Sequence, residues 1–142
     1  MSPATCLGFD YGTQRIGIAI GDTLTGTARP LRTLQCRNPG QVDWPSIAAL
    51  IDEWRPDALV VGLPCNDDGS PGALAPRTQR FARQLHGRFG LPVHEVNEHL
   101  SSVEAEQRLA ELGQRRTRDD PGAIDMMAAA VILETWLAAD AS

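Results

Sequence analysis

The sequence predicts one α/β domain over residues 1–142, a mixed five-stranded sheet with helices on both faces. Three observations carry that reading. Apolar residues alternate with period two through the first strands, then recur with the helical period from Ile47 onward. Ala58–Gly62 and Val93–Glu98 read as strands separated by a helical stretch, the mark of βα units with parallel strands. With 142 residues, 42% of them apolar, and a net charge of −5, the chain can bury its own core and is too apolar for disorder.

Cys6-Leu7-Gly8-Phe9-Asp10 reads as a first strand ending in a carboxylate, and Tyr11-Gly12-Thr13-Gln14 as a turn. From Arg15 to Gly21, Ile16, Ile18 and Ile20 share one face and Gly17, Ala19 and Gly21 the other, a small-residue face that another element can approach closely. A third strand from about Ala28 to Leu34, weakened by Pro30, completes an antiparallel meander. Ile47, Leu50, Ile51 and Trp54 fall on one helical stripe, stopped by Pro56-Asp57. Ala58–Gly62 is a continuous apolar run, followed by a polar loop from Pro64 to Gly72. Leu74, Thr78, Phe81, Leu85 and Phe89 mark a second helix, ended by Gly90-Leu91-Pro92, and Val93–Glu98 is the fifth strand. Ser101 and Glu104 have capping-box spacing and open a third helix through Ala105, Leu109 and Leu112, closed by Gly113. After an Arg-rich loop, Asp120 as N-cap and Pro121 at the first helical position open a last helix that runs to about Ala138.

All 13 basic residues are arginine. The lack of lysine removes Schiff-base chemistry and a phosphate-loop cation. The acidic balance argues against coating nucleic acid by bulk charge, but not against an enzyme with a local basic patch. Cys6, Cys36 and Cys65 are widely spaced with no C-x-x-C pair, so neither a zinc nor a thioredoxin motif is present and a reducing cytoplasm is the expected setting. No signal-peptide pattern and no uninterrupted apolar stretch of membrane-spanning length is visible, so no membrane partner is expected.

Three carboxylates stand out. Asp10 and Glu98 each end a strand, and ligands of open α/β sheets gather beyond the carboxyl ends of the parallel strands. Asp125 heads a core-facing stripe with Ala128, Ala129, Ile132 and Trp136 in a helix apolar almost all round. An unpaired carboxylate there is costly, and a metal ion or cationic partner removes the cost. Taken singly, each has a plainer role: turn residue, solvated strand end, first-turn acid facing the helix dipole. Taken together, they form a carboxylate-only set without His or Cys, which suits magnesium or manganese. Two such ions can drive phosphodiester cleavage without a lysine or serine nucleophile.

Gly8-Phe9-Asp10-Tyr11-Gly12-Thr13-Gln14-Arg15-Ile16-Gly17-Ile18-Ala19 resembles the opening motif of the YqgF/RuvX family, whose members are described as Holliday junction resolvases and pre-ribosomal RNA nucleases. Val61–Ser70, Glu98-His99-Leu100-Ser101-Ser102 and Asp125-Met126-Met127-Ala128-Ala129 resemble its later motifs in order, so the likeness covers nearly the whole chain. The resemblance implies a ribonuclease-H-like fold, Asp10, Glu98 and Asp125 as metal-binding catalytic acids, and maturation of the 5′ end of 16S ribosomal RNA. Where the family's third motif usually reads Asp-Glu-Arg, this chain has Asn97-Glu98-His99. His99 lacks the bidentate phosphate grip of arginine, which implies weaker or pH-dependent activity.

Candidate nucleic-acid contacts are Arg15, Asn66, Arg77, Arg80, His99, Arg115, Arg116 and Arg118, with a solvated helix face as the plainer reading of Arg77 and Arg80. Aromatic residues are few and only Tyr11 adjoins a proposed acid, so base stacking has little support. The expected function is a metal-dependent nuclease acting on a ribosomal RNA precursor, as a monomer or homodimer. Rivals are a resolvase of branched DNA and a binding module without turnover in ribosome assembly or transcription. A fourth reading, an ATP-binding domain of the actin-like kind, needs a two-lobed cleft for which the chain is too short, and absence of nucleotide-induced thermal stabilisation would dispose of it.

Overall fold

The computed structural model describes residues 4–66, 68, 70–98, 101–111 and 121–141, with the backbone alone at 101–103 and 140–141. Its elements are β1 (Thr5–Tyr11), β2 (Arg15–Asp22), β3 (Ala28–Gln35), α1 (Trp44–Trp54), β4 (Ala58–Pro64), α2 (Ala75–Phe89), β5 (Val93–Glu98), α3 (Ser101–Glu111) and α4 (Pro121–Ala141). They form one sheet in the order β3-β2-β1-β4-β5. The meander β1-β2-β3 is antiparallel, and β4 and β5 add in parallel to β1. The expected architecture is therefore present, with α1 and α2 on one face and α3 and α4 on the other.

Each face has its own core. Leu7, Phe9, Ile16 and Ile18 pack with Ile47, Leu50, Phe81 and Leu85 of α1 and α2. The alternate positions Cys6 and Ala19 pack with Ala105 and Leu109 of α3 and with Ala128, Ala129, Ile132 and Leu133 of α4. Period two in the strands thus divides the chain into two apolar layers.

Pro30 is tolerated for a physical reason. It lies on an edge strand, where the pairing of β2 with β3 shifts register between Ile18 and Ala19. The N-cap of α1 is Asp43, whose Oδ1 accepts from the Ser46 backbone N at 3.2 Å. The Ser101 capping side chain, Leu112, Gly113 and Asp120 lie outside the described residues.

Pro121–Ala139 of α4 has a mean hydropathy of 1.5 and is long and apolar enough to cross a membrane by length and composition. Asp125 and Glu134 interrupt it, and the rest is apolar almost all round because the helix packs on β1, β2, β3 and β4 and against α3. Glu134 ties it in, accepting from Arg108 of α3 at 3.0 Å.

The small-residue face of the sheet is what lets α4 sit so close. A Cβ added at Gly8 would lie 2.8 Å from Leu133 Cβ, and one at Gly62 would meet the Ile132 side chain. One at Gly17 would run into the backbone carbonyl of Asp125.

Candidate active site

Strand order and register place Asp10 and Glu98 at one end of the sheet, and α4 brings Asp125 to the same end. Asp10 is the penultimate residue of β1 and pairs with Gly17 of β2. Phe9 is level with Val61 of β4, and Gly62 of β4 is level with Val96 of β5, so Glu98 stands two residues further up β5 than Asp10 stands on β1. One strand, β4, separates them, a backbone gap of about 10 Å at ordinary strand spacing. Val96 packs into the α3/α4 core, and Glu98, two residues on, shares its face. Asp125 arrives from above, on the second turn of α4, held against β2 because Gly17 has no side chain. Thr33 of β3 fixes the start of that helix by donating its hydroxyl to the Gly122 carbonyl at 2.5 Å.

Electrostatics mark this group. The carboxyl of Asp10 is pushed up to about 7, first by burial and then by the charges of Asp125 and Glu98. Arg15, the first residue of β2, donates from Nε to Asp125 Oδ2 at 2.8 Å, with side chains 29% and 21% exposed. A cleft of about 260 Å³ opens between Asp10, Tyr11, Thr13, Arg15, Leu74 and Asp125.

This donor set matches a hard divalent cation in charge and in chemistry. It offers oxygen ligands only, and one of them holds its charge poorly without a cation. As they stand, no three His, Cys, Asp or Glu side chains among the described residues are grouped closely enough to hold an ion. The arrangement is an electrostatic basin with Arg15 as its present counter-charge, rather than a closed coordination cage.

The sequence pattern of the RuvX family, described as Holliday junction resolvase, matches residues 4–139. The chain belongs to the RuvX family. A protein of Azotobacter vinelandii named "Putative pre-16S rRNA nuclease" is 52% identical over 137 residues, covering 96% of this chain and 94% of that one. A Pseudomonas putida protein of the same name is 51% identical over 136 residues, covering 94% of each. Two solved structures share the fold at low identity. Thermus thermophilus RuvC in complex with Holliday junction substrate has a TM-score of 0.58 at 16% identity, covering 98% of this chain and 96% of that one. The Fowlpox virus resolvase with its Holliday junction DNA has a TM-score of 0.60 at 14% identity, covering 97% of this chain and 99% of that one. The fold is thus the ribonuclease-H-like one of RuvC-type resolvases.

In this RuvX-family chain the other candidate residues separate. Arg15 belongs to the acid cleft, but its partner is Asp125. Asn66 closes its own loop, donating from Nδ2 to Ser70 Oγ at 3.1 Å and to the Pro71 carbonyl at 3.2 Å. Arg77 and Arg80 are exposed on α2 and line a different cavity, on the other face of the sheet. His99, Arg115, Arg116 and Arg118 lie outside the described residues. Sequence reasoning missed the Arg15–Asp125 pair, because the two are 110 positions apart and meet only when α4 docks. It also missed Trp44, although Asp43 just ahead of it and Pro45 just after it are signals of a helix start.

The Arg15–Asp125 pair makes a testable statement about charge balance. Arg15→Ala should lower the melting temperature of the metal-free protein at pH 8 by roughly 2–4 °C, as expected for loss of a partly exposed pair worth about 1 kcal/mol. Millimolar magnesium should recover most of that loss. Thermal scans with chelator and with magnesium check it, and a loss that magnesium leaves untouched would separate Arg15 from the acid basin.

Proposed function

We propose that the chain is a divalent-metal-dependent nuclease that cleaves phosphodiester bonds in ribosomal RNA precursor, maturing the 5′ end of 16S RNA in the cytoplasm. The observation that carries the reading is the placement of Asp10, Glu98 and Asp125 at the carboxyl end of the parallel strands, with the Asp10 carboxyl raised by burial first and then by the other two. The pre-16S rRNA nuclease name of relatives about half identical supports the choice of RNA. The family description and the junction DNA in the structural neighbours favour a second reading, resolution of branched DNA.

Asp10, Glu98 and Asp125 are the residues that would hold magnesium or manganese, as one or two ions. When bound, such ions activate a water for attack on phosphorus and offset the charge that builds on the leaving oxygen. The chain's own groups do the rest. Asp10, central in the sheet, gives up the proton that burial and its neighbours help it keep. Arg15 Nε holds the Asp125 carboxylate in one orientation at 2.8 Å and gives the cleft its positive edge toward a phosphate. Tyr11 and Leu74 wall the cleft.

The test is cleavage of a labelled RNA spanning the 16S precursor end, beside a four-way DNA junction, by the native chain and by Glu98→Gln. Each is run with magnesium, with manganese and with chelator. Metal-dependent RNA cleavage by the native chain, down at least a hundredfold in Glu98→Gln, is expected. Cleavage of the junction alone would replace the RNA reading with the DNA one. Folded, metal-saturated protein that cuts neither would leave a binding module.

A further inference from the structure

A second cavity lies on the opposite face of the sheet from the three acids, and the two share a wall. Tyr11 follows Asp10 in β1 and packs with the α1/α2 core, yet it borders both the acid cleft and this cavity of about 310 Å³. The remaining wall comes from separate elements: Gly40 in the β3–α1 connection, Trp44 on the first turn of α1, and Arg77, Arg80 and Gln84 along α2. The Gly40 backbone N donates to the Thr13 carbonyl at 2.8 Å, which ties this connection to the turn bordering the acid cleft.

Neighbouring side chains hold the aromatic rings. Tyr11 and Trp44 both stack on buried Phe81, with ring centroids 5.0 and 5.7 Å apart. The Arg88 guanidinium lies 4.2 Å from the Trp44 ring centroid. Arg77 and Arg80 are spaced i, i+3, so they stand together on one side of α2. Both are exposed, and neither has a hydrogen-bond or ion-pair partner among the described residues. No described residue lining the cavity is acidic.

Fixed aromatic rings beside two guanidinium groups that have no partner among the described residues match the two halves of a nucleotide. A base has a π-face for the rings, and a phosphate takes the planar arginine fork. The volume is at the lower end of the range of roughly 300–1,000 Å³ for small-ligand sites. We propose that this cavity is a subsite for one unpaired nucleotide of the substrate strand, next to the phosphodiester at Asp10, with its base against Tyr11 and Trp44 and its phosphate on Arg77 and Arg80. The position of this nucleotide rests on the nuclease reading of the acid cleft. Bases inside an A-form helix are stacked and paired, so the subsite selects strands with a single-stranded nucleotide beside the scissile bond. It makes local unpairing, rather than sequence, the feature recognised.

The test uses the full chain with chelator, so that nothing is cleaved. In a Trp54→Phe/Trp136→Phe background Trp44 is the sole tryptophan. A single-stranded oligoadenylate RNA hexamer should quench its fluorescence, and the same strand in a duplex should not. Arg77→Ala/Arg80→Ala should weaken hexamer binding about tenfold and reduce the salt slope by about 0.7, the share of one single-strand phosphate. Equal quenching by duplex, no quenching at all, or an unchanged slope in the arginine variant overturns the proposal. If the phenylalanine background does not fold, anisotropy of a labelled hexamer compares the native chain with Trp44→Leu. About tenfold weaker binding is expected, and equal affinity overturns the subsite. Asp10→Asn should bind the hexamer no more weakly than the native chain. Quenching without any metal-dependent cleavage of RNA or DNA would keep the nucleotide site and remove the nuclease reading. Cleavage without quenching would remove the subsite alone.

Discussion

Asp10→Asn should abolish metal-dependent cleavage and, in metal-free buffer at pH 8, make the protein more stable. Asn keeps the shape of the side chain and removes the charge that the fold penalises. The Asp10 carboxyl is raised from 3.8 to about 7 by burial and by Asp125 and Glu98. The folded protein therefore binds the proton more tightly than the unfolded chain does, and the native chain loses stability as pH rises from about 4 to 7. At pH 8 the penalty is fully present, of order 4 kcal/mol, or roughly 8–16 °C in melting temperature for a domain of this size. At about pH 3, below both values, Asp10 is largely protonated in either state and the two proteins should melt together. Magnesium should raise the melting temperature of the native chain at pH 8 and leave the variant almost unmoved. A variant that melts below its parent at pH 8 in chelator would falsify the account of Asp10 as a strained charge awaiting a cation.

Gly17→Ala should cost nearly as much activity without touching a charge. Gly17 pairs with Asp10, and its missing side chain is the space that the Asp125 backbone occupies. A methyl group there must push β2 and α4 apart. Overpacking of this kind costs about 1–3 kcal/mol. Displacing Asp125 by about 1 Å should lower turnover on the order of a hundredfold. Gly87→Ala is the matched control. Gly87 lies inside α2, and a methyl group added to it would meet nothing within 4 Å. That substitution should leave turnover unchanged and raise stability by about 0.5–1 kcal/mol. Circular dichroism and cleavage rates measured on both variants separate lost folding from lost alignment. Parental turnover in a folded Gly17→Ala protein would mean that Asp125 is not set by the sheet as described.

Both effects have a common root. The acid basin is created by packing α4 onto glycines, which buries Asp10 within reach of the charges of Asp125 and Glu98. Such an arrangement is costly in the free protein and useful once a cation arrives, the usual exchange of stability for function at a site.

The fold was readable because it is written in local periods. Alternation from Cys6 to Gly21 assigns residues to two faces, the 3.6 period of Ile47 to Trp54 and Leu74 to Phe89 marks two helices, and the small face of Gly17 and Ala19 anticipates a close neighbour. Strand ends placed Asp10 and Glu98 at one sheet edge, since parallel pairing puts carboxyl ends together. The register that sets Glu98 two residues above Asp10, the docking of α4 that joins Arg15 to Asp125 across 110 positions, and the meeting of Tyr11, Trp44, Arg77 and Arg80 around one cavity were decided by tertiary structure alone. Local periodicity records which face a residue uses. Which partner waits on that face depends on contacts between distant segments, whose geometry no short stretch of sequence contains.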